Sequence, residues 1–185
     1  MFLVVSPAWF FLALGINAAM YTSGALLIRE AWIRWNKGWP TVFALGAAYA
    51  IMEEGIADQT IFNPTKSPIG PVGLYGHFLG VNWNWLPDVF YIHILMSLLI
   101  PILLLNFALP ETRGRSLLSE RQIAFVVVLL GLDTTLLTLI VATSNHYWYG
   151  LPLLLISVLA IAGLCALGRI LPRTLIPFSV GPPSS

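Results

Sequence analysis

Charge is what this sequence has least of. Only 9% of its 185 residues are Asp, Glu, Lys or Arg, against about 25% in a soluble domain, which leaves too little polar surface to face water. A formal net charge of +1 excludes the strongly basic footprint of a nucleic-acid-binding protein. Cysteine is nearly absent. The single Cys165 lies in an apolar run, so neither a disulfide framework nor a thiolate metal site can form within one chain. No basic residue precedes the first apolar stretch, as one would in a secretory signal peptide, so that stretch is expected to be retained as a helix.

What the sequence has instead is hydrocarbon. It is 58% hydrophobic, with a mean hydropathy of +0.84, and the apolar residues come in uninterrupted runs that a helix can hide only in lipid. Five runs, at about 7–28, 40–57, 87–109, 123–142 and 151–167, approach the roughly 17 to 25 residues a span requires. Pro40 and Pro87 open the second and third, as the first-turn preference of proline predicts. The fold class is therefore all-α: a polytopic bundle of about five transmembrane helices in the lipid bilayer of a cell membrane. It forms one domain over 1–171, with a Pro/Ser-rich tail at 172–185. The loop 58–86 carries Asn63-Pro64, Ser67-Pro68 and Gly70-Pro71 beside Tyr75, Phe78, Trp83 and Trp85. A loop of that length is usually functional, and its aromatics predict that it folds against the membrane surface.

Arg29, Arg34 and Lys37 follow the first run, Arg113, Arg115 and Arg121 follow the third, and Arg169 and Arg173 follow the fifth. With five spans these all share one side, leaving Lys66 on the other. The positive-inside rule then places the N-terminus outside and the C-terminus in the cytosol. Tryptophan agrees independently: Trp9, Trp83, Trp85 and Trp148 mark the outer boundary, and Trp32, Trp35 and Trp39 the inner one.

This topology gathers Glu53, Glu54, Asp58, His77, Asp88, His93 and His146 on the outer half, every histidine among them. Glu53 lies thirteen residues beyond Pro40, hence roughly 10 Å below the outer boundary of a core about 30 Å thick. His93 lies six residues beyond Pro87, roughly 9 Å down. Ionisable groups within spans normally face a bundle interior or a water-filled cavity, so these are site candidates. Neighbours on an α-helix diverge by about 100°, which predicts that Glu53 and Glu54 point apart. Glu54 and Asp58 stack on one face and could share a partner. Carboxylates and imidazoles from separate helices make a normal zinc set able to activate water. The bland alternative is one protonated, hydrogen-bonded glutamate and one reaching to the interface. Asp88 has a role of its own at the positive end of helix three, and His77 and His146 lie in loops.

Glu53-Glu54, then His93, then His146 resembles the CAAX-protease and bacteriocin-processing (CPBP) family of intramembrane metalloproteases. Its motifs run Glu-Glu-x-x-x-Arg, Phe-x-x-x-His and His-x-x-x-Asn or Asp. The resemblance implies that Glu53 or Glu54 is the general base, with His93 and His146 helping to hold the site; Asp58, four residues from Glu54, is a candidate metal ligand on its own chemistry. Asp58 stands where that family has arginine, Val89 where it has phenylalanine, and Gly150 ends the third motif. The stretch Glu53-Glu54-Gly55 through Phe62-Asn63-Pro64 is also similar to multi-span prokaryotic membrane proteins of no assigned function, which implies a prokaryotic plasma membrane.

Asp133 falls mid-span in the fourth run, where an exposed carboxylate costs about 2.5–3.5 kcal/mol on insertion scales. It is expected to pair with Asn17 at similar depth, or with Thr134, Thr135 or Thr138. The sharper alternative is a proton or cation path. Gly46, Ala47 and Ala50, and Ala162 with Ala166, are read as close helix contacts. Three functions remain open. One is an intramembrane metal-dependent hydrolase. The second is a small transporter or channel subunit, as a homo-oligomer. The third is an accessory subunit docking a partner membrane protein through its outer loop.

Overall fold

The computed structural model describes residues 6–66, 71 and 74–173. The loop's Ser67, Pro68 and Gly70, the side chain of Trp9, and the tail beyond Arg173 lie outside them. Among the described residues six α-helices run in chain order: α1 Pro7–Arg34, α2 Trp39–Ala50, α3 Leu86–Tyr91, α4 Ile100–Ala108, α5 Glu120–Asn145 and α6 Leu151–Ile170. Two π-helical segments interrupt them. Ile51–Ala57 continues α2 without a break, and Ile92–Leu99 joins α3 to α4. Both end on i→i+5 bonds, from Asp58 N–H to the Glu53 carbonyl and from Ile100 N–H to the Leu95 carbonyl.

Four helices, Phe10–Arg34, Leu86–Ala108, Glu120–Asn145 and Leu151–Ile170, are long and apolar enough to cross a membrane. The helix formed by α2 and its π extension is less apolar because it carries Glu53 and Glu54, and it is the most enclosed. Val42, Leu45, Ala48, Tyr49, Ala50 and Ala57 all belong to the buried core. An α-helix hydrophobic on every face is a lipid helix or a core helix; this one is surrounded by its own chain. The observed helices also outrun their apolar cores. α1 continues past residue 28 because Arg29 and Glu30, although charged, are 1% and 2% exposed and bound to the loop opposite. α5 starts at Glu120 on a capping box, with the Ser119 hydroxyl accepting from Gln122 N–H and the Gln122 side chain accepting from Ser119 N–H.

Close crossings depend on glycine at two places. A Cβ on Gly24 would lie 2.2 Å from Tyr49 Cε2, so α1 can lie on α2 only with glycine there. Gly168 packs within reach of Leu45 and Thr41, and Thr41 Oγ1 donates to the Gly168 carbonyl at 2.8 Å. Gly46 touches Ile94 and Leu98 as expected. Ala162 and Ala166 do not make the expected contact: they are exposed, and the small residues α6 buries are Ser157 and Gly168.

Part of the long loop is a two-stranded antiparallel hairpin, β1 His77–Phe78 paired with β2 Val81–Asn82. It packs back on the bundle. Asn82 N–H donates to the Ile61 carbonyl at 2.8 Å, and a Cβ on Gly80 would sit 3.3 Å from Leu153. At the opposite end Trp32 and Trp39 lie with ring centroids 4.8 Å apart, and Arg169 sits over Trp35.

Candidate functional site

Glu53 and Glu54 occupy the π turn after α2, and His93 the π turn after α3. Adjacent helical residues point apart, and the two glutamates diverge as expected: Glu53 faces Tyr21, Tyr49 and Asp133, and Glu54 faces Thr60. The imidazole reconciles them by offering two nitrogens on different edges. Nε2 lies 3.0 Å from Glu54 Oε1, and Nδ1 lies 3.0 Å from Glu53 Oε2. The first contact has hydrogen-bond geometry, whereas the second is misaligned, leaving Nδ1 and Oε2 buried without a hydrogen-bond partner. π turns are rare and concentrate at functional sites; here the two of them carry all three residues.

The surroundings hold this cluster in place. The Tyr21 ring lies parallel to the imidazole, 8° off plane with centroids 6.0 Å apart, and Tyr49 meets it at 6.1 Å and 56°. The Thr60 hydroxyl donates to the Glu54 carboxylate and accepts from Trp85 Nε1 at 3.0 Å. Trp85, Thr60, Glu54, His93 and Glu53 thus form one chain of polar contacts from the loop 58–86 into the bundle. His93 is 1% exposed and Glu53 4%, so charge within the cluster is strongly felt.

Asp133 enters from α5. It is buried, its Oδ2 has no hydrogen-bond partner, and it lies close enough to Glu53 for their charges to interact. The Tyr49 hydroxyl is likewise buried and unpartnered, and interacts electrostatically with both carboxylates. The expected pairing of Asp133 with Asn17 is not what forms. Asn17 is exposed and donates to Ala13 of its own helix at 2.7 Å. Nor do the nearby threonines serve Asp133, because Thr134, Thr135 and Thr138 donate to backbone carbonyls. Thr138 also reaches the Ile56 carbonyl at 3.3 Å, which ties α5 to the π turn.

The remaining candidates lie elsewhere. Asp58 pairs with Lys66, whose ammonium donates to Asp58 Oδ1 at 2.8 Å and to its carbonyl at 2.7 Å and reaches Glu54 through its charge alone. His77 Nε2 contacts the Phe62 carbonyl at 3.1 Å within the loop. Tyr147 donates to the same carbonyl at 3.0 Å, its phenol held above the ordinary value by burial. Asp88 is exposed in the first turn of α3. His146 is exposed at the left-handed end of α5, with φ 51°. Among the described residues, the group able to offer ligand atoms to one cation is Glu53, Glu54 and His93, with those atoms within 4.8 Å of one another. Neither Asp58 nor His146 belongs to it.

Four apolar spans, an enclosed fifth helix and a buried acid–imidazole cluster define a polytopic helical membrane protein. The chain belongs to a family described as an uncharacterized membrane protein family, whose family model matches residues 4–175. No curated protein and no solved structure matches it. The resemblance to the CPBP proteases finds no support in these comparisons, whereas the similarity to membrane proteins of no assigned function agrees with them.

Proposed function

We propose that the chain is a membrane-embedded metal-dependent hydrolase in which Glu53, Glu54 and His93 hold a divalent cation. One observation carries this reading: ligand atoms of buried Glu53, part-buried Glu54 and buried His93, from two helices, lie within 4.8 Å of one another. Two carboxylates and one imidazole suit zinc, and three protein ligands leave a fourth position for water. A cation so held supplies a water acidified toward neutral pH. The unpartnered Asp133 carboxylate is placed to accept a proton from a water near Glu53, acting as general base. The buried Tyr49 hydroxyl is placed to donate to developing negative charge. With the basic loops in the cytosol, the cluster lies on the outer half of the bilayer.

Metal analysis of detergent-purified protein tests the reading. Wild type supplemented with zinc is expected to retain close to one ion per chain, and Glu53→Ala/Glu54→Ala to retain none. Metal-free wild type after supplementation removes the proposal.

Asp133 also favours a second reading, an ion-coupled carrier. A carboxylate on α5 beside the Glu53–His93 pair makes a short relay of proton-binding groups, as in membrane transport paths. Proton-driven flux in proteoliposomes that Asp133→Asn abolishes, with no bound metal, would select it over the hydrolase.

A further inference from the structure

The cluster is not the only place where a buried polar atom is left without a partner. α1 and the Ile92–Ala108 helix run in the same direction, and between them lies a groove of about 230 Å³. Tyr21, Thr22, Leu26, Pro101 and Leu105 line it, and Arg29 does so at its basic end. Thr22 and Pro101 are exposed, so the groove opens on the outside of two membrane-crossing helices. From Tyr21 to Arg29 it spans about 12 Å along α1.

Arg29 is the unusual wall. It is 1% exposed, and its two terminal nitrogens donate to the Thr112 carbonyl at 2.6 Å and the Arg115 carbonyl at 3.2 Å. Its Nε is buried with no partner. Glu30, 3.5 Å away, is its nearest counter-charge, but both Glu30 oxygens are already engaged by Arg34, Ser116 and Leu117. Eight Lys and Arg side chains crowd this end of the bundle, against Glu30, Glu111 and Glu120. The end therefore carries excess positive charge where the headgroups of one leaflet lie.

We propose that this groove is a binding site for an anionic phospholipid of the leaflet at the basic end, independent of the hydrolase reading. One acyl chain lies along the groove toward Tyr21. The headgroup phosphate accepts from Arg29 Nε, with Arg113 and Arg115 beside it. Arginine favours phosphate because its donors match the oxygens geometrically. The apolar length of the groove requires a chain on the ligand, and so selects a lipid over a free anion.

Native mass spectrometry of the detergent-purified chain tests this with phosphatidylglycerol, phosphatidylcholine and glycerol phosphate as probes. Phosphatidylglycerol is expected to be retained about tenfold more tightly than phosphatidylcholine, and glycerol phosphate is not expected to displace it. Ser97→Phe, which fills the groove from a half-buried position without touching Arg29, is expected to abolish that preference. Equal retention of the two lipids by wild type overturns the proposal without reference to any variant. Displacement by glycerol phosphate alone assigns the site to a free anion and overturns it equally.

Discussion

Replacing His93 by alanine is expected to be among the most damaging single changes in the chain. It leaves Glu53, 4% exposed, and Glu54 together in the bundle interior without the imidazole that separates their charges. Removing one partner of a buried charged set costs about 3–5 kcal/mol, because the remaining charge is uncompensated. The measurement is unfolding in mixed micelles. A companion triple variant, His93→Leu with Glu53→Gln and Glu54→Gln, removes charge from all three positions and is expected to recover most of the loss. A loss below about 1 kcal/mol for His93→Ala would mean that the cluster is not held by charge at all.

Glu30→Ala is expected to act at the other end of the molecule with similar size. Glu30 is 2% exposed and accepts from Leu117 N–H at 2.7 Å, from Arg34 Nε at 3.1 Å and from the Ser116 hydroxyl. Its loss leaves Arg29 buried without a counter-charge and frees the loop that both side chains hold. The expected cost is about 3–5 kcal/mol, and cleavage after Arg113 or Arg115 in limited trypsin digestion should accelerate. Glu30→Gln keeps an acceptor and is expected to fall between. Unchanged digestion in Glu30→Ala would show that the loop is held by other contacts.

The spans were legible because lipid imposes a simple demand, an unbroken apolar run, and the observed helices coincide with the five runs. Their ends were less so. Arg29 and Glu30 read as a boundary by charge, but they remain helical and buried because the loop 112–117 supplies their partners. The meeting of Glu53, Glu54 and His93 was legible through depth, which residue counts along neighbouring helices give directly. Direction around the helix was not legible. Nothing in Ile51–Ala57 announces a π turn. The same missing coordinate misplaced Asn17, which has the right depth to meet Asp133 but faces outward and bonds its own helix. It also hid Tyr49 and Thr60, whose relation to the cluster depends on rotation and on the fold of the loop 58–86. Asp58 stood one helical turn from Glu54 and His146 followed His93 in the order of a motif, but order along the chain cannot report that Asp58 pairs with Lys66 and His146 caps α5 in the open.

The two π turns carry a consequence for how this chain can change. A π turn is equivalent to one residue accommodated within a continuing helix, and loss of one residue rotates everything beyond it by about 100°. A deletion between Trp39 and Ala57, or between Leu86 and Ala108, could leave each helix long enough and apolar enough for its place in the bundle. It would still carry the acid pair or the imidazole out of register with its counterpart. The site therefore constrains the chain's length as much as its composition, and two such changes would be neutral only if their rotations cancelled.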